Sequence, residues 1–337
     1  MRDGTVVFRA RSVAAVAKTV EKDELPDRTL SRRRRWGTDT TVGIGGAVKA
    51  DVRTVGVVGA GVMGRGVTVA LRQAGYRVVL VDRTEEILAD TRARLRDDVR
   101  LYTMLAPQAP LDDEELAAGT HFTTALEALA EADLVIENAT ERWSVKQPIY
   151  ERLGTVCRPG VTICVNTSAI SITRLGALTG RPQDVVGMHF MNPVPLKPTV
   201  EVIRAHHTSE ATLARARDFL TSMGKKSIVV NDSPGFVTNR VMMLTVNEAA
   251  FLVHEGVASP ADTDRLFVEC FGHTMGPLET ADLIGLDTVL LSIEVLYDEF
   301  KDSKYRPCPL LTRMVDAGLL GRKSGQGFFN YEAAKRG

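Results

Sequence analysis

The stretch TVGVVGAGVMG, Thr54 to Gly64, holds a short apolar run, a GxGxxG and the opening of a helix. The run is rich in valine, as a strand buried on both faces would be. The glycines end it, and Val62 to Ala74 continues in a helical pattern closed by Gly75. Such a turn leaves the N–H groups of a helix N-terminus at the strand end, where they attract an anion. Gly59 permits the tight turn, Gly61 lets the backbone approach a pyrophosphate, and Gly64 allows close helix–strand packing. Asp82 closes the next strand, RVVLVD at 77–82. A carboxylate there accepts hydrogen bonds from a ribose and repels a 2′-phosphate, which points to NAD over NADP. Arg83 beside it is the opposing feature.

Outward from this unit the alternation continues. Residues 85–101 read as a helix, and DLVIEN (133–138), VTICVN (161–166) and DVVGMHF (184–190) as buried strands. Strands alternating with helices predict an α/β fold, a doubly wound parallel sheet of Rossmann type. After residue 230 the character changes. Residues 236–255, 260–271 and 286–300 are helical patterns with almost no strand signal. The Asn-Asp-Ser-Pro at 231–234 marks a boundary, so residues 51–232 form the dinucleotide-binding domain and 233–337 an all-α domain. Residues 1–50 differ from both. They carry Arg32 to Arg35 in a row, followed by a polar, glycine-rich stretch and not the apolar segment of an export signal. They read as a basic, poorly ordered extension.

The chain has 337 residues, with Lys+Arg and Asp+Glu equal at 42. That balance predicts neither nucleic acid nor an anionic membrane as partner. No apolar run approaches the ~18 residues of a membrane span. Cys157, Cys164, Cys270 and Cys308 form no CxxC pair, so no metal site is expected. Free thiols fit a reducing cytoplasm.

Two residues suggest proton chemistry. His189 ends an apolar strand, and strand ends of open α/β sheets face the ligand crevice. Glu201 lies within another strand-like run, Val-Glu-Val-Ile, where an acid is costly unless partnered. A His–carboxylate pair resolves that cost and strengthens the imidazole as a base. An unrelated strand-end His and edge Glu is the competing reading.

Further motifs occur in order: ERWSVK at 141–146, NTS at 166–168, HFMNP at 189–193, PGFVTNR at 234–240, MGPLETADLIGLD at 275–287 and GRKSGQGF at 321–328. With the GxGxxG, the chain resembles the 3-hydroxyacyl-CoA dehydrogenase family over about 53 to 331. The resemblance implies NAD-dependent oxidation of the 3-hydroxyl of an acyl thioester. In it His189 is the general base oriented by Glu201, while Ser168 and Asn239 hold the substrate oxygens. Glu141, Lys146, Asn192 and Lys323 match cofactor contacts. It also implies a homodimer through the helical domain, whose helices carry more apolar surface than one small layer buries.

The chain departs from the family in two places. Where the family puts a serine and a lysine for the coenzyme A phosphates, this chain has Asp98 and Leu105, and residues 100–110 contain no lysine. Arg92, Arg94, Arg96 and Arg100 would compensate from other faces of the helix. After the HFMNP motif, Val194 to Thr199 includes an extra Pro198 in a segment expected to line the acyl pocket. Both departures lean toward the branch that oxidises a glyceryl (2,3-dihydroxypropionyl) group on acyl carrier protein in polyketide extender-unit biosynthesis. An ordinary 3-hydroxybutyryl-CoA dehydrogenase of fatty acid metabolism is the alternative. A non-catalytic, crystallin-like NAD-binding relative is opposed by the presence of His189, Glu201 and Asn239. The β-hydroxyacid dehydrogenases, with a catalytic lysine, are opposed by the HFMNP motif.

Overall fold

The computed structural model describes residues 52–105 and 111–331. The expected extension over 1–50 lies outside the described residues. Eight strands form one sheet: β1 (Thr54–Val58), β2 (Arg77–Val81), β3 (Thr120–Thr123), β4 (Leu134–Glu137), β5 (Thr162–Val165), β6 (Val185–His189), β7 (Thr199–Arg204) and β8 (Lys226–Asn231). Their spatial order is β3-β2-β1-β4-β5-β6-β7-β8. The order reverses beside β1, which opens a crevice at the carboxyl ends of β1 and β4.

Six helices belong to the sheet: α1 (Val62–Gln73), α2 (Glu85–Leu105), α3 (Asp113–Ala118), α4 (Trp143–Val156), α5 (Ile172–Leu178) and α6 (Glu210–Ser222). Val67, Leu71, Leu88, Leu213 and Phe219 cover one face, while Tyr150, Leu153, Ile172 and Leu175 cover the other. A sheet covered on both faces needs apolar residues at every strand position, and β1, β4, β5 and β6 are buried throughout. A separate core of Met243, Val246, Val289, Ile293 and Leu311 lies among the helices that follow. These are α7 (Thr238–His254), α8 (Pro260–Phe271), α9 (Pro277–Ile284), α10 (Leu286–Phe300) and α11 (Pro309–Asp316).

One correction concerns strand direction. The sheet is parallel from β3 to β6, but β7 runs antiparallel to β6, and β8 is parallel to β7. No crossover helix separates β6 from β7, so the chain folds straight back. That return places His189 and Glu201 directly opposite each other. The sequence pattern also missed β3 and β8. Both are sheet edges, β8 mostly exposed and β3 largely half-buried, so neither carries a buried apolar run. Helix α2 runs on to Leu105, past the expected end at 101.

Packing at the glycine turn is tight. Gly59 has φ +92°, and a Cβ on Gly64 would lie 1.8 Å from the Gly59 carbonyl oxygen. Gly64→Ala is therefore expected to push α1 off β1. The midpoint of thermal unfolding should fall by on the order of 5–10 °C; calorimetry showing no change would contradict this packing account.

Candidate active site

A cleft of about 860 Å³ crosses the carboxyl ends of β1, β2, β4 and β5. Gly59, Gly61, Asp82, Glu141, Ser168 and Phe190 are among its walls. Helix α1 starts there with Gly61 as its cap residue, no side-chain cap and no acid in the first turn. Its first N–H groups are left for an anion. A Cβ on Gly61 would meet nothing within 4 Å, so the glycine leaves open space at the helix end. Asp82 pins the turn by accepting from the N–H groups of Ala60 and Arg83, each at 2.6 Å. Its carboxylate stands beside the cleft with lone pairs to spare for a ribose diol. These features fit NAD, whose pyrophosphate the Gly61 end of α1 would hold and whose adenosine ribose Asp82 would bind.

Behind Ser168 sits the pair singled out from sequence. His189 Nδ1 lies 3.0 Å from Glu201 Oε2, and His189 Nε2 lies 3.2 Å from Ser168 Oγ. His189 and Glu201 are 6% and 5% exposed, so the carboxylate acts with little solvent screening. Glu201 Oε1 accepts from the Val237 and Thr238 N–H groups at 2.9 and 3.3 Å, and Oε2 from the Thr238 hydroxyl at 2.7 Å. Burial pushes the Glu201 carboxyl up. The hydrogen bonds from His189, Thr238 and Val237, with the charge His189 can carry, outweigh it and hold the carboxyl below the usual range. An ionised carboxylate only accepts, so Nδ1 carries the proton and Nε2 is left basic toward Ser168. The Phe236 ring meets the imidazole edge-on at 5.7 Å.

Ser168, His189 and Glu201 thus line up as a nucleophile, base and acid would. Ser168 nonetheless lacks a usual feature of acyl transfer. Its own N–H and that of Ala169 both donate to Glu141 Oε1 at 3.1 Å, so these candidate oxyanion donors are already committed to an anion. The serine is left as a hydrogen-bonding hydroxyl at the cleft end.

Glu141 holds the 167–169 turn, bonded also by the Thr167 hydroxyl. Asn239, in the first turn of α7, donates to the Ser168 carbonyl at 3.3 Å. Ser168, His189, Glu201 and Asn239 therefore come together from four separate elements. Asn192 is exposed and precedes a cis peptide to Pro193. Two expected cofactor contacts are placed differently. Lys146 is wholly buried, its Nζ 2.8 and 3.0 Å from the Glu137 carboxylate. It supports the cleft from beneath, because a covered ammonium beside a carboxylate is satisfied there. Lys323 pairs with Asp287 at the start of α10 and is not among the residues that line the cleft.

The 194–198 segment also departs from expectation. Pro195, Leu196 and Pro198 line a separate hollow of about 300 Å³ with residues of α1 and of the turn after α6. Lys225 fastens the segment by donating to the Val194 and Lys197 carbonyls at 2.8 and 2.9 Å.

Sequence reasoning missed Glu137, Tyr150 and Thr238. Tyr150 donates to Glu137 Oε2 at 2.7 Å beneath the cleft, and burial together with that carboxylate drives its hydroxyl well above the usual range. Glu137 carried a signal close to the one that revealed Glu201: an acid in an apolar strand, here at its end and not within it. Thr238, an ordinary polar residue in the helical pattern that follows residue 236, gave none. Among the described residues no cluster of three or more His, Cys, Asp or Glu is placed to hold a metal, and no helix is long and apolar enough to cross a membrane.

Comparison with known proteins agrees with this geometry. Residues 54–233 match the model of the 3-hydroxyacyl-CoA dehydrogenase NAD binding domain, and 235–331 that of the 3-hydroxyacyl-CoA dehydrogenase C-terminal domain. A probable 3-hydroxybutyryl-CoA dehydrogenase of Deinococcus radiodurans is 44% identical over 278 residues, covering 82% of this chain and 99% of that protein. A 3-hydroxybutyryl-CoA dehydrogenase of Bradyrhizobium diazoefficiens is 41% identical, covering 85% and 98%. The crystal structure of (S)-3-hydroxybutyryl-CoA dehydrogenase from Ralstonia eutropha superposes with a TM-score of 0.79 at 41% identity, over 84% of this chain and all of that one. An NAD-binding Rossmann domain, a helical domain and a buried His–Glu pair between them thus place this chain in the 3-hydroxyacyl-CoA dehydrogenase family, as an NAD-dependent oxidoreductase acting on CH–OH.

Proposed function

We propose that this enzyme oxidises the 3-hydroxyl of a short acyl group carried as its coenzyme A thioester. The observation that carries the reading is the buried His189–Glu201 pair opening through Nε2 onto Ser168 at the end of the dinucleotide cleft. NAD, when bound, accepts the hydride from C3. His189 Nε2 takes the hydroxyl proton, and Glu201 stabilises the imidazolium that results. The Ser168 hydroxyl steadies the substrate oxygen as it becomes a carbonyl, with Asn239 fixing the Ser168 backbone.

The carrier-protein reading keeps one observation of its own. Leu101, Met104 and Leu105, at the end of α2 where the family grips phosphates, are exposed. Two others weaken it. Asp98 is neutralised by Arg65 at 2.8 Å, so it repels a nearby phosphate less than its position suggested. Of Arg92, Arg96 and Arg100, the face an acidic carrier would meet, Arg100 lies near Asp97 and Asp113, which reduces its pull. The names of the relatives favour coenzyme A.

We further propose a cytoplasmic homodimer. Val241 on α7, Leu266 and Phe271 on α8, Leu283 on α9 and Leu291 on α10 are apolar and 47–71% exposed in the single chain. A partner copy docked on these helices would cover such exposed apolar side chains. Light scattering at micromolar concentration should give twice the chain mass; a monomer would remove the dimer.

The base assignment has a kinetic signature. His189→Gln should lower turnover by ~10²–10⁴-fold or more with NAD affinity nearly unchanged. Glu201→Gln removes the charge that stabilises imidazolium, so the acid limb of kcat/KM should move to lower pH beneath a reduced plateau. Wild-type turnover in the first variant, or an unmoved limb in the second, would exclude the mechanism.

The handle is decided by one comparison. The same hydroxyacyl group, on coenzyme A and on acyl carrier protein, should give the higher kcat/KM as the coenzyme A thioester. A tenfold preference for a carrier-bound glyceryl group would instead favour polyketide extender-unit assembly.

A further inference from the structure

The catalytic carboxylate has more donors than orienting an imidazole requires. His189 Nδ1 and the Thr238 hydroxyl converge on the same oxygen, Glu201 Oε2, at 3.0 and 2.7 Å. The two donors stand 3.5 Å apart. Thr238 opens α7, so its hydroxyl comes from the helical domain, whereas His189 and Glu201 belong to the sheet.

We propose that Thr238 is a positioning residue that sets the basicity of His189 by competing for the Glu201 oxygen that stabilises imidazolium. This rests on the reading of His189 as the general base. A carboxylate oxygen that already accepts a short hydroxyl bond offers less negative charge to a second donor. The imidazolium formed on proton transfer is then held less tightly. Because the hydroxyl arrives with α7, the tuning exists only while the helical domain is docked on the sheet. The threonine would thereby couple domain docking to proton transfer.

Other charged groups near the pair are engaged elsewhere. Beside β7, β8 places Ile228 opposite Glu201. Glu141 is occupied by the 167–169 turn, and Asp232 accepts from Ser171 and Thr173. On α7, Arg240 faces Phe300 and the Tyr305 hydroxyl. His189, Glu201 and Thr238 can therefore be treated as one local unit.

The test measures pH profiles of kcat/KM for 3-hydroxybutyryl-CoA oxidation with wild type, Thr238→Val, Thr238→Ala and Thr238→Ser. Removing the hydroxyl should move the acid limb to higher pH by on the order of half to one unit, opposite in sign to Glu201→Gln. Thr238→Ser should restore the wild-type limb. The His189 imidazole, followed by NMR without substrate, should show the same displacement. A limb and a titration that stay in place in the Val and Ala variants, whatever happens to the plateau or the unfolding midpoint, would reduce Thr238 to an ordinary helix residue. If wild type shows no acid limb and His189→Gln remains active, the general-base reading falls first and the proposal with it.

Discussion

The carboxylate of Glu201 is the joint of this molecule. One oxygen receives His189 from β6 and the Thr238 hydroxyl; the other receives two backbone N–H groups at the start of α7. An ion placed in an apolar strand would normally be costly. Here its donors come from the neighbouring strand and from the end of a 17-residue helix whose dipole favours a negative charge. The group that would make the imidazole a stronger base also caps the helix that begins the second domain. The geometry of the proposed base and the docking of the helical domain are thus one set of hydrogen bonds.

A second buried acid plays a related part beneath the cofactor cleft. Glu137 ends β4 and binds Lys146 and Tyr150, both from α4. A fully buried ion pair seldom adds net stability over an apolar pair, but it permits few alternative arrangements. It therefore fixes how α4 lies against β4. Above it, Glu141 gathers the N–H groups of Ser168 and Ala169. Asn166 completes the frame, donating to Asn138 at 2.7 Å and accepting from the Phe190 N–H at 3.1 Å. Ser168 and the end of β6 are fastened to one scaffold, which holds the serine hydroxyl close to the imidazole.

Helix α2 shows how a charge count can mislead. In the sequence its arginines stood as compensation for the missing lysine, and Asp98 stood where the family binds a phosphate. In the fold Asp98 meets Arg65 of α1, and Arg94 and Arg100 meet acids nearby. Local neutralisation leaves a mixed surface, in which the apolar residues at the helix end are the more distinctive feature. Exposed pairs of this kind add little stability, but they change what an approaching anion meets.

The sequence alone determined the chemistry-bearing motifs and the buried part of the fold. Strands hidden on both faces must be apolar at every position, so β1, β2, β4, β5 and β6 were legible as runs. The glycine turn was legible because only glycine tolerates its conformation and its close contact with the helix. His189 and Glu201 stood out because polar groups in apolar strands need partners. The edge strands β3 and β8 stayed hidden, since half-buried and exposed residues leave no continuous hydrophobic pattern. Only the tertiary structure decided that β7 turns back against β6 and sets His189 opposite Glu201. It also decided that Lys146 is buried under the cleft, that Pro198 belongs to another hollow, and that Thr238 reaches the Glu201 carboxylate. These are contacts between residues far apart in the chain, and the spacing of residues along a chain carries no record of which faces meet.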